Sequence, residues 1–309
     1  MKIVFMGTPT FAKSVFAEIM KNHEVVLAVT QPDKPLGRKR VITPPPVKEF
    51  ALQEGIPVFQ PDKIKKAENI AELRKANADI FVVAAYGQIL SQEILDIPKF
   101  GCVNVHASLL PKYRGAAPIQ HSIINGERET GVTIMRMDKG LDTGDMILSK
   151  AIIIEETDTA GTMFEKLAVL GGELLLSALT QIECGNAVYT KQDDSLSTYA
   201  PMINKETGLI DFNKDAQSIV NLVRGLAPFD TAYTRYQGEV IKIWEAKLYY
   251  KDFEARAGQV VEIDKKNGII IKTFTDTICI SEIQAQSSKR MDALAYARGH
   301  NIRVGDFFN

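Results

Sequence analysis

Along its first 140 residues the chain repeats one arrangement: a short, nearly unbroken apolar run, a turn, then a stretch with helical spacing. The runs are KIVFM at 2–6, EVVLAVT at 24–30, a short piece at 57–60, ADIFVVAAYG at 78–87 and CVNVH at 102–106. Between the first two, Phe11, Val15, Phe16, Ile19 and Met20 fall at i, i+4, i+5, i+8 and i+9, one face of a helix. PVKEFALQEG carries proline near its start and glycine at its end, the punctuation of a short helix, and KKAENIAELRKAN reads as a polar-faced one. A strand that is apolar on both faces must be covered on both. Strands separated by helices run parallel more readily than as hairpins. Together these patterns predict an α/β domain with a mostly parallel sheet.

The pattern continues with a helix near 117–125, strands GVTIMRM and MILSKAIII, and a long amphipathic helix that ends at Gly185. This sets the first domain at 1–189. KQDDSLSTYAPMINK has no period and predicts a linker, 190–204. After a short helix, DAQSIVNLVRGLAP, five short strands dominate: TAYTRY, EVIKIWEAKLYY, GQVVEID, GIIIKTF and TICISEIQ. Turn signals, including Asn267-Gly268, separate them. The expected fold is a Rossmann-like α/β domain followed by a smaller β domain at 205–309, either a sandwich or a small β-barrel of OB-like form. Within the barrel, Trp244 is assigned to the core and Tyr249 and Tyr250 to the surface. Lys289 and Arg290 are expected to start a terminal helix.

Several function classes are set aside. No apolar run reaches the roughly 18–20 residues of a membrane span, and MKIVFMGTP reads as a strand rather than a secretory signal. Cys102, Cys184 and Cys279 have neither disulfide-framework nor zinc spacing, so a cytoplasmic setting is expected. The turn MGTPTFAKS has only Gly7 of the three glycines of a dinucleotide fingerprint. A net charge of −1 argues against a uniformly basic surface. One segment, 31–48, nevertheless gathers Lys34, Arg38, Lys39, Arg40 and Lys48 against Asp33 alone, either a local patch or a solvated loop.

Asn104 and His106 lie two apart on an apolar strand and so point to one side of the sheet. Burying an unpaired amide or imidazole costs about 1–3 kcal/mol. The pair is either satisfied internally or placed for chemistry, and it sits at a strand's C-terminal end, where open α/β sheets bind ligands. Downstream, MDKGLDTGD holds Asp138, Asp142 and Asp145 at spacings of four and three, which do not fit a calcium loop. No metal is expected; one carboxylate is read as orienting the imidazole while the others shape the turn. Ser108 is not placed as a nucleophile, since Pro111 ends the strand pattern. Asn, His and Asp without a nucleophile suit direct acyl transfer: donors for a developing oxyanion and a route for a proton.

The ordered set NVHASLLPKYRGAAPI followed by GLDTGD resembles the folate-dependent formyltransferases, and SLLP, RGAAPIQ and GLDTGD together resemble those acting on methionyl-tRNA. The resemblance runs over the whole chain. It implies 10-formyltetrahydrofolate as formyl donor, with no metal, and initiator methionyl-tRNA as acceptor. It assigns Asn104, His106 and Asp142 to catalysis, with Asn104 on the formyl oxygen, His106 on the oxyanion, and Asp142 fixing His106. It assigns folate binding to Ser108, Leu109, Leu110 and Pro111, and the pterin pocket to Tyr86, Gly87, Gln88, Ile89 and Leu90 and to Lys139, Gly140 and Leu141 with Asp142. It makes 31–46 an insertion touching the tRNA acceptor end through Arg38, with Lys39 and Arg40 as phosphate partners, and it gives the OB-like domain a share of tRNA binding. That domain holds 15 Lys and Arg against 14 Asp and Glu. A monomer with no membrane contact is expected. Two other readings stay open: a formyltransferase for a small amine, such as a ribonucleotide or amino sugar nucleotide, and a non-catalytic RNA-binding relative.

Overall fold

In the computed structural model, which describes residues 1–37, 40–251 and 253–309, the chain divides into two compact units. One comprises Met1–Gly115, Thr130–Ile152 and Phe164–Ala200; the other comprises Ala116–Glu129, Ile153–Met163 and Pro201–Asn309.

The first unit is built on a seven-stranded sheet. Its order is Met146–Ile153, Glu129–Arg136, Cys102–His106, Ile80–Ala84, Lys2–Gly7, Glu24–Val29 and Val58–Phe59. The last five of these run parallel, and Glu129–Arg136 is antiparallel to Cys102–His106. The fully apolar runs are the central strands: Ile3, Val4, Phe5 and Met6, and Ile80, Phe81 and Val82, have no exposed surface. Burying each such side chain contributes about 1.5–3 kcal/mol, which is why these runs take the middle of the sheet. Phe16 on the helix Thr10–Ile19 stacks on Phe5 (4.6 Å between centroids) and meets Phe50 of the helix Pro46–Gln53 edge-on at 5.2 Å. Strand order reverses between Lys2–Gly7 and Ile80–Ala84, the crevice where doubly wound sheets take ligands. Gly7 closes the first strand there because a Cβ would lie 2.6 Å from Ala12 Cβ and 2.9 Å from the Ala84 carbonyl.

Two segments are more ordered than the sequence suggests. The basic stretch after the second strand carries a hairpin, Lys34–Leu36 paired antiparallel with Val41–Thr43. The segment expected as a linker is fastened. Thr190 bridges Met146, Asp194–Leu196 forms a 3-10 turn, and Tyr199–Ala200 pairs in parallel with Arg114–Gly115. A polar, aperiodic stretch gives no sign of such backbone pairing, because the ladder uses main-chain groups that every residue has.

In the second unit the helices Pro118–Ile124 and Ala216–Leu226 pack together; at Gly225 a Cβ would stand 2.7 Å from Ile124 Cγ1. Five antiparallel strands follow in the order Ala232–Tyr236, Glu239–Tyr249, Thr277–Ala285, Gly268–Lys272, Val260–Asp264. The C-terminal tail joins the two edges: Phe308 bridges Tyr236 and Phe307 bridges Gln259. Phe308 is buried and its ring stacks on Tyr236 at 5.0 Å. The core beneath is isoleucine-rich, with Ile241, Ile243, Ile269, Ile271, Ile278, Ile280 and Ile283. Trp244, expected in this core, lies outside it, half-buried. Its indole N–H donates to Gln284 Oε1 (3.2 Å) and the Arg290 guanidinium sits 4.9 Å from its ring. The register irregularity at Ile243/Glu245 falls at this residue, and a bulge re-aims side chains. The terminal helix begins at Ala293, capped by Asp292, rather than at Lys289 and Arg290. Among the described residues no helix is long and apolar enough to cross a membrane.

Candidate active site

Cys102–His106 is held between two strands, with Asn104 opposite Val83 on one side and Met135 on the other, and His106 opposite Thr133. Pairing stops at His106. The chain then turns through 107–115, and Thr133 fastens the turn: its hydroxyl donates to the Ser108 carbonyl (2.8 Å) and accepts from the Leu110 N–H (3.1 Å). Ser108, fully buried, spends its own hydroxyl on the Lys112 carbonyl at 2.7 Å, which ties the turn shut. Tyr113 takes a φ of +60° and its carbonyl lies 2.9 Å from His106 Nε2. A carbonyl only accepts, so Nε2 carries a hydrogen and Nδ1 faces the other way.

Asp142 is what Nδ1 faces. Its Oδ2 lies 3.6 Å from His106 Nδ1, and its Oδ1 lies 3.5 Å from Asn104 Nδ2. Both gaps are at or beyond hydrogen-bond length, whereas the Gly115 N–H donates to Oδ2 at 2.9 Å. The carboxylate is thus anchored on backbone and faces the amide and the imidazole loosely. Asp142 also has a φ of +54°, and Ala85, ahead of the loop at 86–90, has one of +45°. Strained non-glycine residues of this kind cost about 1–3 kcal/mol each and concentrate at functional sites.

The other two aspartates do different work. Asp138 Oδ1 accepts from the Gly140 N–H (3.0 Å) and the Thr143 hydroxyl (2.7 Å), closing the turn. Asp145 offers its main-chain carbonyl to the Arg136 N–H. Among the described residues no group of three or more His, Cys, Asp or Glu is placed to hold a metal. Gly144 is obligatory, since a Cβ there would lie 1.8 Å from the Arg136 carbonyl. Cys102, in the same strand as the pair, is no alternative nucleophile: burial, with Asp96 nearby, pushes its thiol up to about 12, so it carries almost no thiolate at neutral pH.

The amide, imidazole and carboxylate converge at one strand end with no nucleophile among them. Residues 1–179 match the family model described as formyl transferase, and 202–301 match that of the formyl transferase C-terminal domain. The chain belongs to the formyl transferase family. This formyl transferase is 48% identical over 309 residues to the methionyl-tRNA formyltransferase of Agathobacter rectalis, covering 100% of this chain and 99% of that one. It is 46% identical over 307 residues to the methionyl-tRNA formyltransferase of Bacillus subtilis, covering 99% and 96%. Among solved structures, HypX from Aquifex aeolicus in complex with tetrahydrofolic acid shares the fold at a TM-score of 0.67 and 16% identity. The match covers 98% of this chain and 48% of HypX, so the chain spans about half of that protein.

The residues expected around a pterin fall into two groups in this formyl transferase. Tyr86 and Leu90 are buried in the cluster with Val4, Met6 and Val29, and burial alone raises the Tyr86 phenol above its ordinary range. Gln88 is turned to structure, accepting from the Ile64 N–H (2.8 Å) and donating to the Pro61 carbonyl (3.0 Å). Ile89 and Leu141 are the exposed apolar side chains, at 66% and 51%, and Gly87 (φ +87°) and Gly140 beside them are exposed. Leu110 is buried and Leu109 packs on Gly131, where a Cβ would sit 2.6 Å from Leu109 Cδ2. Lys139 and Pro111 lie on the loops, exposed and half-buried.

Of the residues expected to touch tRNA, Arg38 and Lys39 lie outside the described residues. Arg40 is exposed at the hairpin tip with a φ of +49°. Lys48 is committed elsewhere: its ammonium lies 2.7 and 2.9 Å from the Asp33 carboxylate, and this pairing with Gln60 alongside holds Asp33 below the usual carboxylate range. Sequence reasoning missed Arg114, Gln192 and Thr198. Thr198 Oγ1 accepts from the Tyr113 N–H at 2.8 Å, so the same residue whose carbonyl meets His106 is tied to the 190–200 segment.

Proposed function

We propose that this formyl transferase moves the formyl group of 10-formyltetrahydrofolate to the free amino group of methionyl-initiator tRNA, giving N-formylmethionyl-tRNA. One observation carries the reading. The amide, imidazole and carboxylate meet at a strand end in a chain that is 48% identical, end to end, to a methionyl-tRNA formyltransferase. The loops fit a flat, partly apolar donor, since Ile89 and Leu141 expose apolar surface beside the exposed glycines Gly87 and Gly140. The folate supplies an activated formyl carbon. Asn104 turns an amide N–H to the formyl oxygen. As the amine adds, negative charge grows on that oxygen, and His106 with a proton on Nδ1 and Asn104 together hold it; a donor aimed at such an oxyanion is worth about 10²–10³ in rate. Asp142, 3.6 Å from Nδ1, keeps the ring turned to the reacting carbon and takes the proton released by the amine nitrogen. That proton leaves with the departing folate nitrogen when its bond to the formyl carbon breaks, so the balance closes without metal or water.

The hairpin at 34–43 is the part suited to the acceptor stem. The sequence there, GRKR, is basic, and among the described residues Arg40 is solvent-exposed at the tip. Replacing Arg38 with alanine should raise KM for tRNA, lower the slope of log affinity against log salt by about one phosphate contact, and leave folate use alone. An equal loss with a minimal amine acceptor would place Arg38 outside the tRNA contact. The reading as a whole is tested by incubating the protein with 10-formyltetrahydrofolate and methionyl-tRNA and looking for formylmethionine. Formylation of a small aminated sugar nucleotide or ribonucleotide in preference to the tRNA overturns the acceptor, and no transfer at all with tRNA still bound makes the chain a binding relative.

A further inference from the structure

Gln192 stands in the stretch between the two matched family regions, and it is 4% exposed. A buried side-chain amide must place two N–H donors and one acceptor oxygen. Here every group is spent, the donors on the aspartate loop and the acceptor on Arg114. Nε2 donates to the main-chain carbonyl of Asp142 at 2.8 Å and to that of Gly144 at 2.7 Å. Oε1 accepts from Arg114 Nε at 3.0 Å and from Nη2 at 2.8 Å, and Nη2 also reaches Asp194 Oδ1 at 2.7 Å. The guanidinium fork fixes which end of the amide is oxygen, so the N–H groups can only face the loop carbonyls. The residue after Arg114, Gly115, gives the N–H that holds the Asp142 carboxylate. Asp142 is therefore gripped twice: on its carboxylate by Gly115 and on its carbonyl by Gln192, with Arg114 linking the two grips. It needs that grip, because its φ of +54° is a conformation a free chain leaves.

We infer that Gln192 is a positioning residue for the reaction: it sets the peptide plane at Asp142 and thereby the aim of the carboxylate at His106. The inference rests on the proposed formyl transfer. A polar residue in a polar segment acquires this role only through folding, which places it under a loop fifty positions upstream. Misplacement of a reacting group by about 1 Å costs about 10²-fold in rate, and that is the scale of loss expected here.

The test uses the full-length enzyme. Gln192→Leu keeps the volume and removes all four hydrogen bonds. Its kcat should fall about 10–100-fold, with KM for the folate donor and for methionyl-tRNA unchanged. In the Asp142→Asn background the same substitution should cost nothing more, because the two act on one group. A residue that merely supports the fold would give multiplying losses or move KM. Should Gln192→Leu not fold, Arg114→Lys keeps the charge facing Asp194 and loses the fork on Oε1, and a smaller fall confined to kcat is expected. Unchanged kcat, multiplying losses or a change carried by KM in the folded variant each overturn the inference. An inactive wild-type enzyme in the same assay overturns the formyl transfer instead, so the two failures are told apart.

Discussion

His106→Ala should lower turnover with methionyl-tRNA by about 10²–10⁴-fold while the affinity for the folate donor changes little. The ring sits at the end of a strand, 5% exposed, with Nε2 bonded to the Tyr113 carbonyl and Nδ1 turned to the carboxylate of Asp142. On the proposed mechanism, alanine removes the donor for the growing oxyanion and the group that Asp142 orients. It also removes the bond from the ring to the Tyr113 carbonyl, a net loss of about 0.5–1.5 kcal/mol of stability. The comparison is therefore made on protein shown by thermal unfolding to be folded, with kcat and folate binding measured separately. Turnover equal to wild type in such a variant takes the ring out of the chemistry.

Asp142→Asn is the second large effect. Asparagine tolerates the left-handed backbone that Asp142 adopts and keeps an oxygen for the Gly115 N–H, so the loop is preserved. What goes is the charge and, on the proposed mechanism, the acceptor for the amine proton. A fall in kcat of about 10²-fold or more is expected, with unfolding temperature close to that of the unaltered protein. Full activity would assign Asp142 to the turn, as the bonds from Gly140 and Thr143 assign Asp138.

How much of this was legible in the sequence depends on the kind of signal. A period of two put Asn104 and His106 on one side of a strand, and the unbroken apolar runs marked the parallel core, because burial on both faces leaves a mark in composition. Asp142 came from resemblance to a family: it lies thirty-six positions after His106, and no local rule reports a through-space meeting. Gln192 left no trace at all. Its neighbours are polar, it has no partner at helical or strand spacing, and its burial arises only when the loop at 142–144 and Arg114 close over it. The misreading of Trp244 has a similar origin. A large aromatic on a strand is ordinarily core, but an irregular register sends it outward, where Arg290 covers its ring. The hairpin at 34–43 was hidden because its two strands are only three residues long, a run of cations separates them, and its pairing is main-chain.

The fastening of residues 190–200 bears on how such enzymes can be recombined. A chimera joined at residue 189 would set Arg114, Tyr113 and the aspartate loop from one parent against Gln192, Thr198 and Tyr199–Ala200 from the other, splitting a single hydrogen-bonded unit between two evolutionary histories. Moving the junction past Ala200 keeps that unit whole, so exchanging C-terminal barrels between relatives becomes a transplant that leaves the chemistry with its original owner.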